Sequence, residues 1–159
     1  MPKFKNTILL TFFLTFGVMQ YSLGQVTDDN IRHVVLSKGI RDSLFIFDFS
    51  RPNDHNETQL KYLGTLKSKD GRIFKIMTYC WIWGLSKRAT SRILIYNNND
   101  KFLGNYKLNM RNELPVKIEK NQLFFNVEEN ARPQRISFSK GLPKRIMIEG
   151  GDLYVFQGD

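Results

Sequence analysis

Cysteine occurs once in the 159 residues, at Cys80, and histidine twice, at His33 and His55. A single thiol excludes an intrachain disulfide, a staple that an exported chain is otherwise free to use. Cys and His nowhere pair at metal-ligand spacing, no Gly-rich phosphate loop occurs, and Asn97, Asn98, Asn99 and Asp100 lack the glycine and distal glutamate of a calcium loop. No cofactor or metal is therefore expected. Hydrolysis needs a nucleophile with a base, or an acid and base pair, and the supply of both is thin. Cys80 falls between Tyr79 and Trp81 in the most apolar segment, where burial raises a thiol pKa and makes the group inert. His55 sits beside Asp54 in the polar loop 51–58, which reads either as a dyad or as a solvated turn. The acidic pairs Asp28-Asp29 and Glu128-Glu129 fall outside the expected strands, so nothing places them across a cleft.

Acidic residues are the minority charge, 15 against 24 basic, and the net charge of +9 predicts attraction to anionic surfaces. With 42% hydrophobic and 25% charged residues the chain fits one globular domain, not a disordered or fibrous one. Long hydrophobic runs are missing as well. The longest, residues 8–19, is interrupted by Thr11 and Thr15, and as a helix it reaches only about 18 Å against about 30 Å of bilayer hydrocarbon. Lys3 and Lys5 precede it, and Ser22 and Gly24 follow at the small-x-small spacing that signal peptidase reads. Residues 1–24 are thus expected to be a signal peptide cleaved after Gly24. No cysteine near that site offers an acyl-anchor attachment, so the mature chain, a single β domain over residues 25–159, is expected in the periplasm or outside the cell without a transmembrane segment. At this size it buries about two-thirds of the surface that its unfolded chain exposes.

Past residue 40 the apolar residues alternate in short runs broken by Gly, Asn, Asp and Pro, which is strand periodicity. Phe45, Phe47 and Phe49 place three rings on one face, expected to be core. Asp70-Gly71, between two long runs, predicts a hairpin with a left-handed turn. The tetrad 97–100 and the pair Lys120-Asn121 predict two more. Segments 135–139, 145–148 and 153–156 bring the total to about ten short strands, an all-β antiparallel sandwich or barrel built from consecutive hairpins. Leu114-Pro115 before one hairpin echoes Leu142-Pro143 before another, which reads as two similar hairpins and not a repeat array. One short N-terminal helix is also expected. Thr27 precedes Asp28 and Asp29, Ile31, Val34 and Val35 follow at helical spacing, and Gly39 supplies the stop, although His33, Val34 and Val35 also suit a strand.

Tyr79, Trp81 and Trp83 recur at spacing two and so share one face of a strand, while Cys80 and Ile82 share the other with Phe74 and Ile76. Either both faces are covered, or some rings stay exposed as a stacking platform with polar handles. The loop that follows carries Lys87, Arg88 and Arg92 among three hydroxyl residues, which reads as a solvated loop or as a partner to the rings. Sugars present C–H faces to rings, and Arg88 or Arg92 suits a carboxylate or phosphate through paired hydrogen bonds. Single-stranded nucleic acid suits the same chemistry, but an exported address makes it less available, and none is expected.

The stretches Leu63-Gly64-Thr65-Leu66, Lys75-Ile76-Met77-Thr78, Trp81-Ile82-Trp83-Gly84, Arg88-Ala89-Thr90 and Arg92-Ile93-Leu94-Ile95-Tyr96 cover about a third of the chain. Together they resemble a pattern in small, uncharacterised exported proteins of Gram-negative bacteria. That resemblance implies a signal-bearing β domain and attaches no activity to it. The expectation is a non-enzymatic binding protein with Tyr79, Trp81, Trp83, Arg88 and Arg92 as its contact set and a polyanionic glycan as favoured ligand. The alternatives are a protein-binding module of inhibitor or immunity type, and a small hydrolase using His55 or Cys80.

Overall fold

The computed structural model describes residues 27–125, 134–148 and 152–158; the expected signal peptide, its cleavage site and the pair Glu128-Glu129 lie outside them. The first element is α1 (Asp28–Lys38). Thr27 caps it by accepting a hydrogen bond from the Asn30 amide at 3.4 Å, Asp28 and Asp29 sit where the helix dipole favours negative charge, and Gly39 closes it at φ 60. Eleven residues are marginal as an isolated helix, so its stability comes from the face it buries. That face is Ile31, Val35 and Leu36, whereas Val34 points to solvent. The helix is as expected, with Leu36 replacing Val34 on its inner stripe.

Ten strands follow among the described residues, all antiparallel, in two sheets that do not close into a barrel. The larger sheet runs β1 (Leu44–Asp48), β2 (Asn56–Lys67), β3 (Ile73–Trp83), β4 (Arg88–Asn97), β5 (Phe102–Leu108), then β10 (Asp152–Gly158) and β9 (Arg145–Ile148). The smaller contains β6 (Pro115–Glu119), β7 (Gln122–Phe125) and β8 (Gln134–Ser137). The two Leu-Pro hairpins do form, but in different sheets: β6 with β7 in the smaller, β9 with β10 in the larger.

Turn chemistry sets the hairpins. Between β2 and β3 only Gly71 takes a positive φ, 87°; the Gly71 amide bonds to Ser68 O and the Ser68 amide to Arg72 O, closing a three-residue loop with a bulge. Asp100 plays the part of Gly71 between β4 and β5, where the Asn97 side chain accepts from the amides of Asn99 and Lys101. The two-residue left-handed turn occurs instead at Lys120-Asn121, with φ 48 and 58. There the Asn121 side chain also clasps the other sheet, accepting from Lys67 N at 2.7 Å and donating to Lys67 O at 2.8 Å.

The smaller sheet covers one face of the larger. Leu63, Leu66, Phe74, Ile76, Ile93, Ile95, Tyr106 and Ile146 meet Leu123, Phe125 and Phe138 in a common core. α1 covers the opposite face, where Ile31, Val35 and Leu36 pack on Leu60, Tyr62, Met77, Tyr79, Leu94 and Tyr96. Both faces of β3 are apolar because each lies under a second layer. Phe45 and Phe47 are half-buried at the margin of this second core, but Phe49, past the end of β1, is exposed, which corrects the expectation of three core rings. α1 is shorter than the strands beneath it, so the far end of the β3–β4 hairpin is left uncovered on that face.

Candidate functional site

That uncovered end carries Trp81, Trp83 and Arg88 of the five expected contact residues, and half-buried Arg92 borders it opposite Tyr79. In antiparallel register Trp83 stands opposite Arg88 and Asn56, Trp81 opposite Thr90 and Thr58, and Tyr79 opposite Arg92 and Leu60, so the whole set shares one face. Gly84 and Lys87, at φ 70 and 50, turn the chain between the strands, and the Gly84 amide ties this tip to His55 O at 2.8 Å. The tip is held to the neighbouring strand by backbone as well as by side chains.

The two indoles stack, with ring centroids 5.6 Å apart and planes inclined by 29°. Trp81 is 37% exposed and its Nε1 donates to Asn56 Oδ1 at 2.9 Å, which fixes the ring without hiding its outer face. Trp83 is half-buried and the Arg88 guanidinium carbon lies 5.7 Å from its ring. A guanidinium above an indole is attracted by the ring quadrupole, so Arg88 is held at the surface with its donors free. Tyr79 departs from the set: it is 3% exposed, lies under α1, and donates its hydroxyl to Asp28 Oδ2 at 2.8 Å. Burial first, then the Asp28 carboxylate, push its phenol up to about 12. Arg92 and Arg32 both face the Tyr79 ring, at 5.8 and 4.9 Å. Tyr79 thus positions Arg92 from below and does not present a ring to solvent.

Among the described residues this surface is cationic without compensation. Arg92 stands opposite Lys107 on β5, and none of Lys87, Arg88, Arg92 and Lys107 pairs with a described carboxylate. Cations without a described carboxylate partner beside one exposed and one half-buried ring attract anions that also offer an apolar face.

Of the residues weighed for hydrolysis, Cys80 falls on the opposite face of β3 and His55 borders the hairpin tip through its backbone. Cys80 is buried with its thiol pushed up by desolvation, and Ser91 Oγ is 3.9 Å from its sulfur. His55 does not pair with Asp54, which bridges to Arg51 through the backbone. Its Nδ1 lies 3.3 Å from Ser50 Oγ and its Nε2 3.9 Å from Glu57 Oε2. The Ser50 hydroxyl also accepts from the Asn56 amide at 3.0 Å, so it serves as a turn brace. Sequence reading missed both partners, since Ser50 sits across a loop from His55. Among the described residues no three His, Cys, Asp or Glu side chains stand together as metal ligands, and no helix is long and apolar enough to cross a membrane. Comparison with protein-family models, with curated proteins and with solved structures finds no match for this chain.

Proposed function

We propose that this is a non-enzymatic exported β-domain that binds a polyanionic glycan of the cell envelope or its surroundings on the ledge formed by Trp81, Trp83, Arg88 and Arg92. One observation carries the reading: a stacked, partly exposed indole pair lies directly beside guanidinium groups that no described carboxylate neutralises. Rings take the C–H faces of sugars, and arginines take their carboxylates or sulfates in paired hydrogen bonds. The basic net charge, the expected signal peptide over residues 1–24 and the resemblance to small exported β proteins support the same address and partner. Titration with polygalacturonate or dextran sulfate tests it. Binding is expected to weaken steeply as salt rises, because exposed charge pairs are screened. Binding that is indifferent to salt, or no binding, overturns it.

A second reading has its own observation. On the edge strand β1, Leu44 and Ile46 are 53% and 56% exposed beside a cleft of about 390 Å³ that Leu44, Leu114 and Val116 help to line. An open edge with apolar side chains suits strand addition by a partner protein. Such an interface has an apolar centre and little salt dependence, which separates the two readings in one titration.

A further inference from the structure

On the flank of α1, away from the tryptophan ledge, a cleft of about 290 Å³ opens between the helix and the β4–β5 hairpin. Asp29, Arg32 and Leu36 line it from the helix, and Tyr96, Asp100 and Phe102 from the hairpin. Tyr96 is 4% exposed, yet its hydroxyl is buried with no hydrogen-bond partner, and so is Arg32 Nε. Three of the other four phenols in the two cores show how the fold treats such groups: Tyr79 donates to Asp28, Tyr106 to Pro143 O and Tyr154 to Glu113. A buried hydroxyl left without a partner is destabilising and rare, and it requires an explanation. Tyr96 lines this cleft together with Arg32, Asp29 and Asp100, so its unpartnered hydroxyl belongs to a side chain that borders the cleft.

The carboxylates of the cleft are already paired: Asp29 shares Arg32 with Asp28, at 3.3 and 3.0 Å, and Asp100 lies 2.6 Å from Lys75, so a charged ligand finds no unpaired carboxylate there. Each carboxylate still has lone pairs to accept hydroxyls, the Tyr96 O–H and Arg32 Nε–H remain to donate, and Leu36 with the half-buried Phe102 ring forms an apolar wall. Acceptors on both walls, two unpartnered donors and the apolar side chains of Leu36 and Phe102 match a molecule with adjacent hydroxyls and an apolar face. The volume sits at the small end of ligand pockets, which start at about 300 Å³. We propose that this cleft binds one neutral sugar ring, with the Tyr96 hydroxyl as donor and Asp29 and Asp100 as acceptors.

The site is separate from the ledge, and its test separates them. The probes are glucose, galactose, mannose and N-acetylglucosamine, added to the full chain and followed by calorimetry and by amide chemical shifts. At least one is expected to bind with a Kd of about 1 mM, unaffected by salt and by Arg88→Ala. Tyr96→Phe removes only the unmade hydrogen bond, so it is expected to keep or raise the Tm while weakening the sugar at least about tenfold. Asp100→Asn, which retains a residue tolerant of positive φ, is expected to weaken it as well. The proposal is overturned by no binding of any of the four sugars, by unchanged binding in both variants, or by a Tm lowered by Tyr96→Phe, which means that structural water already satisfies the hydroxyl. Loss of sugar binding in Trp81→Ala also overturns it, by assigning the sugar to the ledge.

Discussion

The ring of Trp81 lies 5.6 Å from that of Trp83, and only the first is anchored through its indole nitrogen, to Asn56. The pair projects beyond the cover of α1, where it meets Arg88 and, one register step inward, Arg92. Removing the exposed member is therefore expected to cost affinity more than stability. Trp81→Ala should weaken polyanionic glycan about tenfold, or about 1.4 kcal/mol, and shift the Tm by only a few degrees. A calorimetric titration beside a thermal melt checks both numbers, and a collapsed fold with unchanged affinity refutes the assignment.

Arg88 and Tyr79 make opposite predictions. Arg88→Ala removes a surface cation without removing core, so it should leave the Tm unchanged and flatten the dependence of glycan affinity on salt. Tyr79→Phe loses the hydrogen bond to Asp28, at a cost of about 1 kcal/mol, and should leave glycan affinity where it was because the ring is buried. Parallel salt series on the two variants distinguish contact from support.

Alkali should loosen the fold through its phenols. Burial raises the pKa of Tyr62, Tyr79, Tyr96, Tyr106 and Tyr154, with Tyr79 at about 12 against 10.0 for a free phenol. A raised pKa in the folded state favours the neutral form there. Its contribution to stability is whole below pH 10, where both states are protonated, and is lost as pH rises from 10 toward the folded values. Denaturant midpoints are expected to be flat up to pH 10 on this ground and to fall beyond it, with the tyrosinate absorbance of these five phenols appearing only as the fold opens. Titration of all five phenols at their free value with the fold intact contradicts the burial described.

Gly104 is a packing requirement. It sits at φ 140 with the Phe156 ring over it, and a methyl group there would lie 2.1 Å from Gln157 O. Gly104→Ala should cost about 2–3 kcal/mol by prising β10 from β5, an overpacking effect, and a thermal melt reads it directly. Stability equal to wild type would place β10 elsewhere.

The hairpins and the helix are legible in the chain because their signals are local. Gly71, Asp100 and Asn121 declare turns through φ preference, and Thr27 and Gly39 declare a helix through its caps. Register then follows from alternation, which is why Tyr79, Trp81 and Trp83 fall on one face as read, whereas Arg88, expected in a loop, opens β4 and joins that face by pairing with Trp83. What alternation does not carry is which layer covers a face. Tyr79 is buried by Asp28 and Arg32, side chains far away in sequence, and the joining of Phe156 to Tyr106 routes the chain past an entire second sheet before β10 pairs with β5. The cleft at Tyr96 is illegible for the same reason, since Asp29 reaches it only once α1 has packed.

Trp81 and Trp83 are the only tryptophans of the chain, so their fluorescence reports on the ledge alone. The most direct measurement is quenching by iodide and by caesium ions, before and after addition of polygalacturonate at low salt. The surrounding unpaired cations should make iodide the stronger quencher of the free protein, and the bound polymer should shield the rings and remove that advantage. Equal quenching by the two ions, or iodide quenching unchanged by the polymer, would contradict an anionic-glycan ledge at Trp81 and Trp83.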